Sequence, residues 1–207
     1  MNLATIQDSG RVPTSVQVQL VPFRVRSGRL ELLHAPTDRS TMLPTLAPPR
    51  DQEISDAAAT FGQEVLDGEG HNMQLEVRGT PDGGLVAAYL HLVEPGPGGQ
   101  WPGQPLSGFS WRDVRRIPLP DDDVRLIDRA LRRLSRELEA GGAAFHLVGA
   151  EFTVSELRQV HEAILRVSLD PSNFRKRVCR MVKEGMLEEL SRRRPTATRP
   201  ARLYRMV

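Results

Sequence analysis

From residue 16 to residue 33 apolar and polar positions alternate. Val16, Val18 and Leu20 are separated by Gln17 and Gln19, and Leu30, Leu32 and Leu33 follow beyond Ser27-Gly28. A period of two around a turn dipeptide predicts a β-hairpin with one buried face. Residues 36–50 contain four prolines and read as loop. Over residues 54–66 the period changes. Ala57, Ala58, Phe61, Val65 and Leu66 form a helical stripe, with Gly68 and Gly70 placed to end it. Strands are expected at 73–77 and 85–93, joined by the turn Pro81-Asp82-Gly83-Gly84. Residues 94–108 are rich in Pro and Gly and read as an irregular loop. Together these segments predict a compact α+β unit ending near Pro120.

The clearest helix is 121–140. Asp121, Asp122 and Asp123 suit its N-terminus, where backbone N–H groups and the helix dipole favour negative charge, and Gly141-Gly142 stops it. Its apolar residues Val124, Ile127, Leu131, Leu134 and Leu138 are spaced 3, 4, 3, 4, a heptad-like seam. Such a seam packs on its own domain or contributes to a dimer, and the pattern leaves both open.

Beyond it the elements are short and tightly joined. Thr153 with Glu156 three residues later has capping-box spacing, opening a helix whose buried stripe is Leu157, Val160, Ala163 and Ile164. Asp170-Pro171 starts another helix, with Asp as N-cap and Pro at the first helical position. Phe174, Val178, Met181 and Val182 give that helix one apolar face, and Gly185 closes it. Cys179 falls among this stripe or beside it and reads as a small inert apolar residue. Strands follow at 187–190 and 201–206, with the basic loop 191–200 between them.

Charge changes the picture only when divided along the chain. The 207 residues carry a net charge of +2. Residues 1–150 hold 15 basic and 19 acidic residues, whereas residues 171–207 hold 11 basic and 3 acidic. Such asymmetry points to a polyanion-binding surface in the last third. With 39% hydrophobic residues a buried core is expected, and one cysteine excludes a disulfide framework or multi-cysteine metal site within the chain. No apolar run is long enough to span a membrane, and the first residues lack a basic-then-apolar leader, so a cytoplasmic setting is expected.

Two helices, a short turn and a basic β-hairpin describe a winged helix-turn-helix. A helix 10–12 Å wide fits the major groove of DNA, where Arg pairs with guanine and Asn with adenine. Asn173 and Arg175 lie near the start of the second helix, where base contacts usually fall, while Lys176 and Arg180 are placed for phosphates. Thr153 and Ser172 complete the helix side of the expected interface, and Arg192, Arg193, Arg194 and Arg199 form its wing. An ordinary solvated face is the alternative for any single arginine; it does not account for the capped helix and hairpin together.

These residues resemble a family. The run Phe152-Thr153-x-x-Glu156-Leu157-x-x-Val160-x-Glu162-Ala163-Ile164, then Leu169-Asp170-x-x-Asn173-Phe174-Arg175-Lys176, then Arg199-Pro200-Ala201-x-Leu203-Tyr204, looks like the C-terminal domain of Nudix-related transcriptional regulators. Upstream, residues 16–33, the strand LVAAYLHLV and the segment 111–138 with Trp111-x-x-Val114 resemble the Nudix-like half. The resemblance implies a divergent Nudix-like α/β/α sandwich over 1–120, a linker helix over 121–140 and a winged helix-turn-helix over 141–207. It also implies double-stranded operator DNA as partner, a homodimer, and an effector such as ADP-ribose or a related nucleotide. Arg24, Arg26 and His34 are the candidate effector contacts by position.

The chain departs from the family where a hydrolase keeps its metal. An active Nudix box follows G-x5-E-x7-R-E-U-x-E-E-x-G-U, whose carboxylates hold Mg²⁺. Here the glycine pair after Leu43-Pro44 is missing, and Phe61-Gly62-Gln63-Glu64-Val65-Leu66 stands where R-E-U-x-E-E belongs. Glu64 is the one surviving acid, which is too few to hold a cation that neutralises pyrophosphate. No efficient hydrolysis, no metal and no cofactor are therefore expected. The five histidines lack ligand spacing, and no P-loop, G-x-S-x-G or G-x-G-x-x-G is present. The rival functions are a divergent hydrolase of nucleoside diphosphate derivatives and a catalytically dead interaction scaffold.

Overall fold

The computed structural model of the chain describes residues 15–36, 41–66, 70–96, 100–101, 105–140, 142–195 and 199–207. Strands β1 (Val16–Arg26) and β2 (Arg29–Pro36) form the expected antiparallel hairpin. Ser27 and Gly28 both take positive φ, 50° and 70°, as a tight two-residue turn requires. One expectation fails here. β1 is buried on both faces from Val18 to Val25, because it is a central strand lying parallel to β6 (Leu85–Val93) on its other edge. Alternation in β1 therefore sorts residues between two cores, with no face left to water.

Short strands β3 (Thr41–Met42) and β4 (Thr45–Leu46) interrupt the segment that its prolines mark as loop; they pair with β2 and β1. Helix α1 (Ile54–Leu66) has the expected bounds. Gly68 lies outside the described residues, and Gly70 opens strand β5 (Gly70–Gly79), which extends beyond its apolar centre and pairs with β6. Strand β7 (Ser110–Asp113) adds to β2. The sheet order is β3-β2-β1-β6-β5, with β4 and β7 alongside.

One face of this sheet packs on α1, through Val18, Leu20, Leu33, Ala87 and Tyr89 against Ala57, Ala58, Phe61 and Val65. The other face packs on α2 (Asp121–Ala140). The buried seam of α2 is Leu126, Ile127, Ala130, Leu134 and Leu138. Val124 is exposed and Leu131 only partly covered, which corrects the heptad-like reading. Burial against a broad sheet needs a wider stripe than a two-stranded seam, so Leu126 and Ala130 join it. Asp123 does not cap by its charge alone. It is buried and accepts a hydrogen bond from Gln19 at 3.2 Å, and burial raises its pKa.

The same core continues without a break into the C-terminal elements. These are α3 (Val154–Leu165), α4 (Pro171–Lys183), β8 (Leu187–Arg194) and β9 (Ala201–Met206). Phe152, Leu157, Val160, Phe174, Val178 and Tyr204 belong to one cluster with Val21, Phe23 and Leu134. Two further contacts tie the joint. His71 stacks on His146 with ring centres 4.0 Å apart, and His146 Nδ1 lies 2.8 Å from a Glu94 carboxylate oxygen. Gly149, at φ 81°, lies so close to Pro95 that a Cβ there would come within 2.8 Å of the Pro95 carbonyl oxygen. Among the described residues no helix is long and apolar enough to cross a membrane.

Candidate nucleic-acid interface

Both helix starts read from the sequence are built as expected. Thr153 Oγ1 accepts from the Glu156 amide at 3.2 Å while the Glu156 carboxylate accepts from the Thr153 amide at 2.8 Å, a complete capping box. Asp170 Oδ1 accepts from the Asn173 amide at 2.8 Å, with Pro171 in the first turn. Arg166, in a left-handed conformation at φ 58°, ends α3 and redirects the chain towards α4. The inner face of α4 is Phe174, Val178 and Met181, with Val182 only partly covered. His161 joins the buried face of α3 and meets Phe174 edge-on at 5.0 Å. Burial lowers its pKa, so it enters the core neutral.

The outward face of α4 is a shallow open groove of about 750 Å³. Ser172, Arg175, Lys176, Arg180 and Lys183 line it, all exposed. Asn173 is exposed beside them. Among the described residues no carboxylate pairs with these four cations, whereas the neighbouring arginines of β8 and β9 mostly have partners. Unneutralised cations on one helical face are what a polyphosphate backbone requires. Cys179 also lines this groove, exposed, which corrects its placement in the apolar stripe. Continuing the three- and four-residue spacing from Ser172 finds Cys179 and Lys183; reading the charges singly missed both.

Three expected contacts are placed differently. Thr153 is 6% exposed and spends its hydroxyl on the capping box, so it cannot reach DNA. Arg192, Arg193 and Arg194 lie on strand β8 and not in a loop, because β8 runs on to pair with β9 at Arg193 and Arg194. Arg194 turns inward: Nη1 donates to Glu156 at 2.6 Å and Nη2 donates to the Glu151 carbonyl at 3.0 Å. It is a brace between wing and helix. Arg192 pairs with the Glu151 carboxylate, and Arg193 and Arg199 remain exposed.

The three effector candidates are not brought together. Arg24 is buried, donates to Glu31 at 2.7 Å and lies over the Trp111 ring at 4.3 Å and the Trp101 ring at 5.5 Å. Burial lowers its pKa against the opposing pull of Glu31. His34, one residue out of phase with the Arg24–Glu31 pair, falls on the opposite face of the sheet. It is buried, its Nε2 3.3 Å from Ser110 Oγ and its Nδ1 without a partner; burial and Arg112 lower its pKa. Arg26 is exposed at the hairpin end.

The residues do not fit a Mg²⁺ site. Glu64 is exposed on α1, and among the described residues no group of three His, Cys, Asp or Glu side chains could hold a metal ion. Beneath α1 lies His91 instead, 1% exposed. Its Nδ1 is 2.8 Å from Asn72 Oδ1 and its Nε2 has no partner. A Cβ at Gly62 would strike its ring. Burial, with a smaller contribution from His71, lowers its pKa to about 4.

The NrtR DNA-binding winged helix domain family matches residues 144–206. The ADPR responsive transcriptional repressor NtrR of Acinetobacter baylyi is 31% identical over 90 residues, 44% of this chain and 35% of that protein. The match thus spans about a third of that relative's length. Among solved structures, NrtR of Shewanella oneidensis complexed with a 27mer DNA is 22% identical with a TM-score of 0.72, covering 93% of both chains. A MutT/nudix family protein from Enterococcus faecalis is 20% identical with a TM-score of 0.75, covering 96% of this chain and 89% of the other. The chain therefore has the two-part fold of the Nudix-related regulators, and its residues 144–206 belong to the NrtR DNA-binding winged helix domain family.

Proposed function

We propose that this chain is a DNA-binding transcriptional repressor whose Nudix-like domain senses a nucleotide and does not hydrolyse it efficiently. The observation that carries the reading is the outward face of α4, where Arg175, Lys176, Arg180 and Lys183 stand without carboxylate partners beside Asn173. Asn173 and Arg175, in the first turn and a half, read base edges, while Lys176, Arg180 and Lys183 contact phosphates. Arg193 and Arg199 reach the flanking backbone. ADP-ribose is the nucleotide of choice, because the Acinetobacter relative is named for its response to it. The domain limits 1–120, 121–140 and 141–207, a cytoplasmic location and a homodimer on a palindromic operator belong to the same reading.

The test is fluorescence anisotropy with double-stranded DNA from upstream of the chain's own gene. The reading expects tight, sequence-dependent binding whose affinity falls steeply with salt. Binding indifferent to sequence and unchanged by Arg175→Ala sinks it. A monomer persisting by light scattering at micromolar concentration removes the palindrome. Turnover of ADP-ribose with Mg²⁺ would restore the hydrolase alternative.

A further inference from the structure

The joint between the sheet and the winged helix encloses a cleft of about 160 Å³. One wall is the end of the β1–β2 hairpin at Ser27-Gly28, another is Trp101, and the third is the edge of α3 at Glu156, Gln159 and Val160. The volume is below the roughly 300–1,000 Å³ that surrounds a whole drug-sized ligand. It suits a single heterocyclic ring. An indole offers that ring a stacking face, and Glu156 and Gln159 offer hydrogen-bond acceptors for an amine or amide. Outside the cleft, Arg26 and Arg29 face each other across the hairpin and flank the turn that lines it. Both are exposed, and neither has a carboxylate partner among the described residues. A ring with an anionic substituent matches this order of groups.

Glu156 makes the cleft more than a hole. Its Oε1 accepts from Arg194 of the wing at 2.6 Å, and its Oε2 accepts from the Thr153 amide at 2.8 Å. The carboxylate that edges the cleft is thus the one that caps α3 and holds β8. Any ligand that draws Glu156 inward loosens the brace on the wing.

Resting on the regulator reading, we propose that this cleft between the domains is the effector seat. It takes the ring of a phosphorylated nucleoside between Trp101 and the Glu156–Gln159 edge, with the phosphate on Arg26 and Arg29. Occupancy reaches the DNA-binding surface through the Glu156–Arg194 bond.

The full chain on labelled upstream DNA is titrated with ADP-ribose, and each variant is compared with its own affinity for DNA without ligand. Wild type is expected to release DNA. Gln159→Trp, which fills the cleft from an exposed helix position, and the pair Arg26→Ala with Arg29→Ala should each need about tenfold more ADP-ribose, near 1.4 kcal/mol. Tryptophan emission is read in parallel. Quenching by ADP-ribose should persist in Trp111→Phe and vanish in Trp101→Phe. Release at unchanged concentration in the variants, quenching that survives Trp101→Phe, or no response of wild type to ADP-ribose overturns the cleft. If the chain binds no DNA at all, the regulator reading fails separately, and the emission experiment alone still decides the cleft.

Discussion

Helices α2 and α4 both carry rows of cations, but they use them in opposite ways. On α2, Arg125 pairs with Asp122, Arg129 with Glu76 at 3.0 Å and Arg133 with Glu137 at 2.7 Å. On α4, Arg175, Lys176, Arg180 and Lys183 have no such partners among the described residues. Counting basic residues makes the two helices look alike. What separates them is whether carboxylates already occupy the cations. An interface for a polyanion is a place where the protein leaves positive charge unanswered, and only α4 does so along a whole face.

The largest effect expected to break or confirm this contrast is on DNA affinity. Replacing Arg175, Lys176 and Arg180 together by Ala should weaken binding at low salt by about a thousandfold and reduce the slope of log affinity against log salt by about 3. Replacing Arg125, Arg129 and Arg133 should leave both nearly unchanged. Equal losses in the two sets, measured by anisotropy across a salt series, would erase the distinction.

Next comes a pH effect that belongs to the sheet half. His91 is neutral when folded, with a pKa of about 4 against an ordinary 6.5. The unfolded chain therefore binds a proton that the folded one refuses, and stability falls as pH drops through that window. The loss reaches about 3 kcal/mol by pH 4. His34, His71 and His161 are shifted in the same direction by burial, and Asp123 in the opposite sense for a carboxyl group. Denaturant melts at pH 7, 6, 5 and 4.5 should show the decline, and His91→Gln should flatten part of it. A level profile in wild type would remove His91 as its source.

Smaller effects sharpen the boundary between capping and recognition. Thr153→Ala should cost about 1 kcal/mol of stability. Arg194→Ala should cost a similar amount and also raise mobility in β8, visible as faster amide exchange there. Neither should act on DNA affinity as directly as Arg175→Ala. If Thr153→Ala abolishes binding in a fully folded protein, its assignment as a buried cap is wrong. Smallest of all, Arg129→Ala breaks a half-exposed pair and should shift stability by no more than about 0.5 kcal/mol.

The parts of the fold legible in the sequence are those decided locally. Asp170-Pro171 and Thr153-x-x-Glu156 fix helix starts through hydrogen bonds within a single turn, and the structure places them as read. The turn at Ser27-Gly28 is equally local. Arg194 was illegible because its meaning depends on Glu156, 38 residues away. The same holds for Leu126 and Ala130: their burial follows from the breadth of the sheet beneath them, which no spacing along α2 reports. Of the ten residues expected at the DNA interface, the α4 set stands exposed on one face. Thr153 and Arg194 are taken up in holding the scaffold. The effector candidates fared worst, since alternation in a sheet strand separates Arg24 from His34 and only tertiary contact pairs Arg26 with the cleft.

The unbroken apolar cluster from Val21 to Tyr204 sets the mechanical character of the molecule. Two beads on a string would melt in two steps and swing freely about α2. A chain whose sheet and winged helix share one interior should melt in a single calorimetric transition, and removing residues 144–206 would strip apolar cover from Phe23 and Leu134. Signals between its halves must then travel as small repositioning at the shared seam, with stiffness taking the place of a hinge.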